Sequence, residues 1–116
     1  MATVEITKAY FMVPVQKMER AVAFYRDVLG LTVRFTSPDW TELHWQDATI
    51  ALHLGGDQDR RESWLGFEVA DLDGALAAIV AGGGTVGDER TEGGVRLVTT
   101  IDTEGNSLTM GQRPAR

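Results

Sequence analysis

The chain has 116 residues, of which 43% are hydrophobic and 24% are charged, and its formal net charge is −6. This length suits one globular domain, and a negative charge without a run of Lys or Arg disfavours nucleic acid as a partner. The absence of cysteine excludes disulfides, thiolate metal sites and a cysteine nucleophile.

The N-terminus lacks a basic segment followed by an apolar run, and no window approaches the ~20 apolar residues of a membrane span. We therefore expect a cytoplasmic protein that does not contact a membrane.

The first half of the chain, residues 3–54, predicts a βαβββ module. Tyr10 and Met12 share one face of the first strand because side chains alternate along a strand. Apolar residues then recur at helical spacing, and Gly30 is placed to end that helix. In order, the predicted elements are a strand over 3–15, a helix over 18–29, a strand over 31–36 and a hairpin over 41–54.

The hairpin over residues 41–54 sorts its side chains by chemistry. With a two-residue turn at Asp47–Ala48, one face is apolar and suited to lie under a helix. That apolar face carries Leu43, Trp45, Ile50, Leu52 and Leu54. The other face carries both histidines of the protein, and its residues are Glu42, His44, Ala51 and His53.

This register places Glu42 opposite His53, and directly opposed side chains lie about 4.5–5.5 Å apart at Cβ. A carboxylate beside an imidazole is the arrangement that orients a general base. The candidate catalytic residues are therefore His44, Glu42 and His53. The alternative is that these polar side chains only line a hydrated cavity and hydrogen-bond one another.

The second half repeats the pattern after an exposed linker. Residues 55–63 contain no apolar side chain, and residues 64–111 again read βαβββ. An offset of 54 relates the halves, since it places Ala21 on Ala75, Gly30 on Gly84 and Tyr10 on Trp64.

The last hairpin is predicted to turn at residues 102–105 and to pair Val98 with Thr109. Alternation then directs five residues toward the helices, namely Leu97, Thr99, Ile101, Leu108 and Met110. The opposite face would carry Arg96, Val98, Thr100, Ser107 and Thr109.

The runs from Val15 to Leu31 and from Asp102 to Asn106 resemble the signature segments of the vicinal oxygen chelate superfamily, the glyoxalase, bleomycin-resistance and extradiol dioxygenase group. The resemblance extends from about Lys8 to Met110. It implies an α+β fold in which two βαβββ modules form a curved mixed sheet, a cup, with the helices on its outer face and a ligand inside. It also implies a homodimer, with each cup built within one chain or across two.

Metal enzymes of that superfamily place four ligands, usually His or Glu, on the first and last strands of the modules. Carried over, the four positions are Tyr10, Ala51, Trp64 and Thr109. Ala51 and Trp64 offer no acceptor to a divalent cation. We therefore expect no inherited metal site and no cofactor, although a displaced site built from Glu42, His44 and His53 is an alternative.

The leading hypothesis is a metal-independent protein that binds a small, partly aromatic molecule in its cup. Tyr10 and Trp64 suit stacking on a planar ligand, unless their rings merely fill a vestigial cavity. Glu68 and Arg96 would pair with each other or recognise a charged ligand group. The full set of candidate ligand contacts is Tyr10, Trp64, Met12, Glu68, Arg96 and Thr109.

The rival hypothesis is a cofactor-free isomerase, lyase or cyclase in which His44 or His53 moves protons and Glu42 orients it. A metal-dependent glyoxalase or dioxygenase is disfavoured by the four replaced positions.

Overall fold

Two successive βαβββ units make up the computed structural model, which describes residues 3, 5–55 and 61–114. The first contains β1 (Phe11–Val15), α1 (Met18–Ala23) continued by a π-helical turn (Phe24–Val28), β2 (Thr32–Thr36), β3 (Trp40–Trp45) and β4 (Ala48–Leu54). The second contains β5 (Arg61–Glu68), α2 (Leu72–Ala81), β6 (Thr85–Glu92), β7 (Val95–Ile101) and β8 (Asn106–Gln112).

Each unit forms a four-stranded mixed sheet, and the two sheets share one topology. The strand orders are β1-β4-β3-β2 and β5-β8-β7-β6, with one parallel pair in each, β1 with β4 and β5 with β8. The predicted α+β fold with two modules is confirmed. Within the described residues no backbone ladder joins the two sheets, so the cup is open, and β1 and β5 each lie at a sheet edge. Side chains of the second sheet still reach the first, because Asn106 and Arg61 donate hydrogen bonds to the Pro14 carbonyl.

Helix α1 covers the apolar face of the first sheet because its apolar residues recur at helical spacing. Helix α2 begins at Asp71, whose side chain accepts a hydrogen bond from the Gly74 N–H at 3.0 Å. The buried core draws on both helices and both sheets, and its large members include Phe24, Tyr25, Leu43, Leu52, Leu72, Ile79, Leu108 and Met110.

The first hairpin has the predicted faces but a different register. Its turn is Gln46–Asp47 rather than Asp47–Ala48, and Glu42 lies opposite Ala51, not opposite His53. The predicted register is wrong by two residues. Because the side-chain period of a strand is two, such a shift leaves every side chain on its own face, and the hydrophobic pattern does not detect it.

The face of β7 that points toward the helices is the one that was predicted to point away from them. Val98 pairs with Met110, not Thr109, and it is buried. The prediction used the offset of 54, but the offset at β7 is 57, because Glu42 lies opposite Ala51 whereas Thr99 lies opposite Thr109, the counterpart of Ala51. This three-residue difference is odd, and an odd shift exchanges the two faces of a strand. Residues Arg96, Val98 and Thr100 therefore face α2, and Leu97, Thr99 and Ile101 face away from it. The β8 faces and the turn at 102–105 follow the prediction.

The element boundaries also differ at two places. Strand β1 begins at Phe11, and residues 5–10, predicted as part of the first strand, lie outside regular structure. Strand β5 begins at Arg61, inside the predicted linker 55–63, of which residues 56–60 lie outside the described residues. In the described part of the chain, no helix has the length and apolar character needed to cross a bilayer.

Candidate functional site

Glu42 is the central charged group on the polar face of the first sheet. Its Oε2 accepts a hydrogen bond from the Trp40 indole N–H at 2.9 Å, and its Oε1 accepts one from the Lys8 ammonium. The hydrogen bonds from Lys8 and Trp40 lower the pKa of the Glu42 carboxyl below its usual range. With its side chain only 16% exposed, Glu42 is a fixed negative charge that is largely shielded from water.

Trp40 is the centre of an aromatic row on the same face. Its ring meets the Tyr10 ring edge to face, with centroids 5.8 Å apart, and the His53 ring likewise, at 6.0 Å. Strand β3 supplies Trp40 and Glu42 two residues apart, and β4 places His53 directly opposite Trp40. We call the following five residues the aryl–carboxylate cluster: Lys8, Tyr10, Trp40, Glu42 and His53.

The two histidines do not come together with a carboxylate as predicted. The Glu42–Ala51 pair of the ladder separates His53 from His44, which lies opposite Thr49. Glu42 contacts Lys8 and Trp40 instead of His53. The buried Nδ1 of His44 has no hydrogen-bond partner among the described residues. The predicted Glu42–His53 general-base pair is therefore not formed.

The remaining candidates on the first strands occupy different surroundings. Met12 lies beside Ala51 on the polar face and is 58% exposed, so it borders the aryl–carboxylate cluster. Trp64 lies at an irregularity in the β5–β8 ladder, with φ 61° and 91% of its surface exposed. The offset of 54 that placed Trp64 on Tyr10 thus does not give the two rings equivalent environments.

On the second sheet, Glu68 and Thr109 line a hollow of about 200 Å³ with Leu97 and Gly66. Glu68 forms an ion pair with Arg113 at 2.7 Å rather than with Arg96.

Arg96 is held on the helix side, where it forms ion pairs with Glu89 at 2.9 Å and Asp73 at 3.0 Å. Its predicted place in the cup and its predicted pairing with Glu68 are wrong, and the cause is the inverted face of β7.

A larger cleft of about 820 Å³ lies between the two modules. Its walls are mainly apolar and include Phe11, Trp45, Ile50, Leu65, Phe67 and Ile79. Among the predicted site residues Glu68 lines it, and the aryl–carboxylate cluster lies elsewhere. The cleft is bordered by β1 and β5, the edge strands of the two sheets.

The sequence profile of the Glyoxalase/Bleomycin resistance protein/Dioxygenase superfamily matches residues 8–110. The chain belongs to this superfamily. No individually curated protein sequence matches this chain.

Solved structures of the superfamily share the fold at low sequence identity. The bleomycin-binding protein of the bleomycin-producing Streptomyces verticillus, complexed with copper(II)-bleomycin, is 17% identical, with a TM-score of 0.69 over 97% of this chain and 100% of its own. TnmS3, an antibiotic binding protein from Streptomyces sp. CB03234, is 21% identical, with a TM-score of 0.73 over 97% and 100%. The fosfomycin resistance protein FosX from Listeria monocytogenes, complexed with Mn(II) and sulfate ion, is 16% identical, with a TM-score of 0.80 over 95% and 93%.

The side chains of this superfamily member do not fit a metal ion at the carried-over positions. Ala51 is fully buried, and its side chain has no atom that can bind a metal ion. The Trp64 indole has no lone pair available for a cation. Within the described residues, no three or more His, Cys, Asp or Glu side chains gather closely enough to hold a metal. The displaced set of Glu42, His44 and His53 does not converge on one point, because the three residues lie opposite Ala51, Thr49 and Trp40 at successive places along the ladder.

Sequence reasoning missed two members of the aryl–carboxylate cluster, Lys8 and Trp40. Only Trp40 carried a usable signal, because it stands two residues before Glu42 on β3 and alternation puts both on the polar face. Lys8 precedes β1 in a segment without regular structure, so alternation does not predict where it lies.

Proposed function

We propose that this protein binds a small, partly aromatic organic molecule on the polar face of its first sheet, without a metal ion. The observation that carries the proposal is the aryl–carboxylate cluster, in which the Trp40 ring joins Tyr10 and His53 and donates to Glu42. Aromatic rings supply flat apolar contact area, and a fixed carboxylate orients a polar group of the ligand.

The half-exposed ring of Tyr10 supports stacking, because a face that meets water in the free protein gains most from a ligand that covers it. The named neighbours from the two Streptomyces strains are antibiotic-binding proteins with this fold, which agrees with a binding role. FosX is described with Mn(II). Metal independence in the present chain rests on its own donor set, in which Ala51 replaces a ligand.

Acid–base catalysis by His44 or His53 receives less support than binding. That role needs a carboxylate to orient the imidazole, and Glu42 instead contacts Lys8 and Trp40.

The proposal includes a homodimer in which a second copy completes the cup. The polar face of the first sheet and the Glu68–Thr109 hollow of the second lie on sheets that share no backbone ladder within the described part of the chain. Edge strands with unpaired main-chain groups favour pairing with another chain. A copy that aligns its β5 with β1 would also cover the apolar cleft, because both edge strands border it.

The binding test is a screen of aromatic small molecules by thermal shift and calorimetry in the presence of EDTA. We expect a hit to bind equally well with and without the chelator. Trp40→Ala should weaken its binding at least about tenfold, because stacking contributes on the order of 1 kcal/mol beyond buried area.

The matched control is Trp45→Ala, which removes the other tryptophan of β3, 59% exposed on the opposite face. Loss of binding in the Trp45 variant alone would place the ligand in the cleft and contradict the proposed site. A requirement for added Mn²⁺ or Zn²⁺ would contradict metal independence.

A further inference from the structure

Lys8 places an ammonium group inside the aryl–carboxylate cluster, although the residue belongs to a segment without regular structure. Its Nζ contacts the Glu42 carboxylate and lies 5.9 Å from the centroid of the Tyr10 ring. A carboxylate combined with an aromatic face is the environment that proteins use to bind ammonium and quaternary ammonium groups. The cluster is therefore built around a cation.

The position of the cation is fixed by groups other than Lys8. The Trp40 N–H holds the second oxygen of Glu42 at 2.9 Å, and the Trp40 ring packs against Tyr10. Since the Glu42 side chain is only 16% exposed, an ionised carboxylate there without a counter-charge is unfavourable. Lys8 supplies the counter-charge in the free protein, and the positive charge of Arg34 acts on the same carboxylate more weakly.

The Lys8 side chain is more exposed than the Glu42 carboxylate that it contacts. Residues 5–10 are exposed and form neither helix nor strand, and the Lys8 side chain is 44% exposed. An ion pair to such an exposed, flexible side chain contributes little, because ordering the long side chain offsets most of the attraction. A ligand cation attached to an aromatic body would gain the same electrostatic contact together with stacking on Tyr10 and Trp40.

We propose that the ligand of this face carries a positively charged nitrogen, which takes the place of the Lys8 ammonium between Glu42 and Tyr10. Lys8 then acts as an internal competitor that occupies the subsite until the ligand displaces it. The net charge of −6 favours approach of a cation as well. This inference rests on the proposed function, because it names the chemical class bound at the same site.

The test compares a matched pair of probes, 2-phenylethylammonium and its neutral analogue 2-phenylethanol. Binding to the full chain is followed by NMR titration, with the indole N–H of Trp40 as the reporter. The variants are Lys8→Met, which keeps most of the aliphatic stem and removes the charge, and Glu42→Gln. The control is Lys17→Met, because Lys17 is an exposed lysine whose side chain lies outside the cluster.

In Lys8→Met we expect the ammonium probe to bind about tenfold more tightly than in the unmodified protein, while the affinity for 2-phenylethanol changes less than about twofold. Glu42→Gln should abolish the preference for the ammonium over the alcohol. Lys17→Met should leave both affinities unchanged. Spectra of each variant report whether the fold is retained.

Three results would overturn the inference. If Lys8→Met binds the ammonium no better than the unmodified protein, or binds both probes equally, the cation subsite is wrong while aromatic binding at this face stands. If neither probe shifts the Trp40 signal in any variant, the subsite and the proposed location of binding both fail.

Discussion

The carboxylate of Glu104 forms an ion pair with the guanidinium of Arg20, 84 residues away in the chain, with 2.6 Å between Oε2 and Nε. Glu104 is fully buried, and its Oε1 also accepts the main-chain N–H groups of Gln16 and Lys17 at 2.8 Å each. The side chain of Lys17, at the N-cap of α1, makes no capping hydrogen bond. Glu104, a residue of the second module, therefore caps the N-terminus of α1 in the first module.

Glu104→Gln should lower the free energy of unfolding by about 3 kcal/mol at pH 7. The substitution preserves shape but removes the charge that pairs with Arg20 and places an amide group against the guanidinium. Urea denaturation followed by circular dichroism measures the change. Asp27→Asn is the control, because the Asp27–Arg26 pair is exposed and its loss should not be measurable. An equally small effect of Glu104→Gln would show that the buried pair does not stabilise the contact between the modules.

The same carboxylate predicts how stability depends on pH. Burial raises the pKa of Glu104, but the hydrogen bonds from Arg20, Lys17 and Gln16 outweigh it, and the pKa is lowered overall. A carboxyl whose folded pKa lies below its unfolded value, about 4.3 for glutamate, stabilises the protein above that value. This stabilisation is lost as the pH falls through the folded pKa.

Urea midpoints measured from pH 7 down to pH 3 should therefore fall more steeply for the unmodified protein than for Glu104→Gln. Parallel curves for the two proteins in the acid range would contradict this assignment.

Local periodicity was sufficient to predict the two modules, their element order and the sorting of the first hairpin into two faces. It failed to predict strand faces and residue pairings that depend on the exact number of residues between two strands. A three-residue change in the offset between the modules inverted the predicted face of β7 and removed Arg96 from the cup, and a two-residue shift separated Glu42 from His53 without disturbing the hydrophobic pattern.

Part of the candidate site was predictable from the alternation of side chains along the strands. Tyr10, Glu42 and His53 share a face by alternation, and the structure gathers them around Trp40. The contact of Glu104 with α1 had no local signal, because it joins distant segments whose approach is determined by the packing of the two modules.

Tyr25→Phe should destabilise the protein by about 2 kcal/mol. The fully buried hydroxyl of Tyr25 donates to Asp102 Oδ2 at 2.6 Å, and burial together with the negative charge of Asp102 raises the pKa of the phenol well above its usual value. Removing the donor leaves a buried carboxylate with one hydrogen bond fewer. Tyr10→Phe is the control, because Tyr10 is half exposed. Thermal and urea unfolding should separate the two variants, and equal stabilities would contradict a stabilising role for the Tyr25–Asp102 bond.

Gln46→Gly should stabilise the first hairpin by about 1 kcal/mol. Gln46 has φ 49°, in the left-handed region where a side chain is strained and glycine is not. The neighbouring Asp47 is not among the described residues with positive φ, so Asp47→Gly should instead lower stability through the greater entropy of the unfolded chain. Opposite signs in urea denaturation are expected for the two variants. A destabilised Gln46→Gly protein would argue for the register with a turn at Asp47–Ala48.

Phe11→Glu should dissociate the proposed homodimer. Phe11 is 55% exposed, lies on the free edge strand β1 and lines the apolar cleft, so a carboxylate there would be buried without a partner when a second copy docks. Light scattering coupled to size-exclusion chromatography should report a mass near twice 12.7 kDa for the unmodified protein and near 12.7 kDa for the variant. Phe35→Glu is the matched control, because Phe35 is 53% exposed on β2, at the opposite edge of the same sheet. If Phe35→Glu alone produced a monomer, the interface would lie at β2, and the cup would have to be completed in another way.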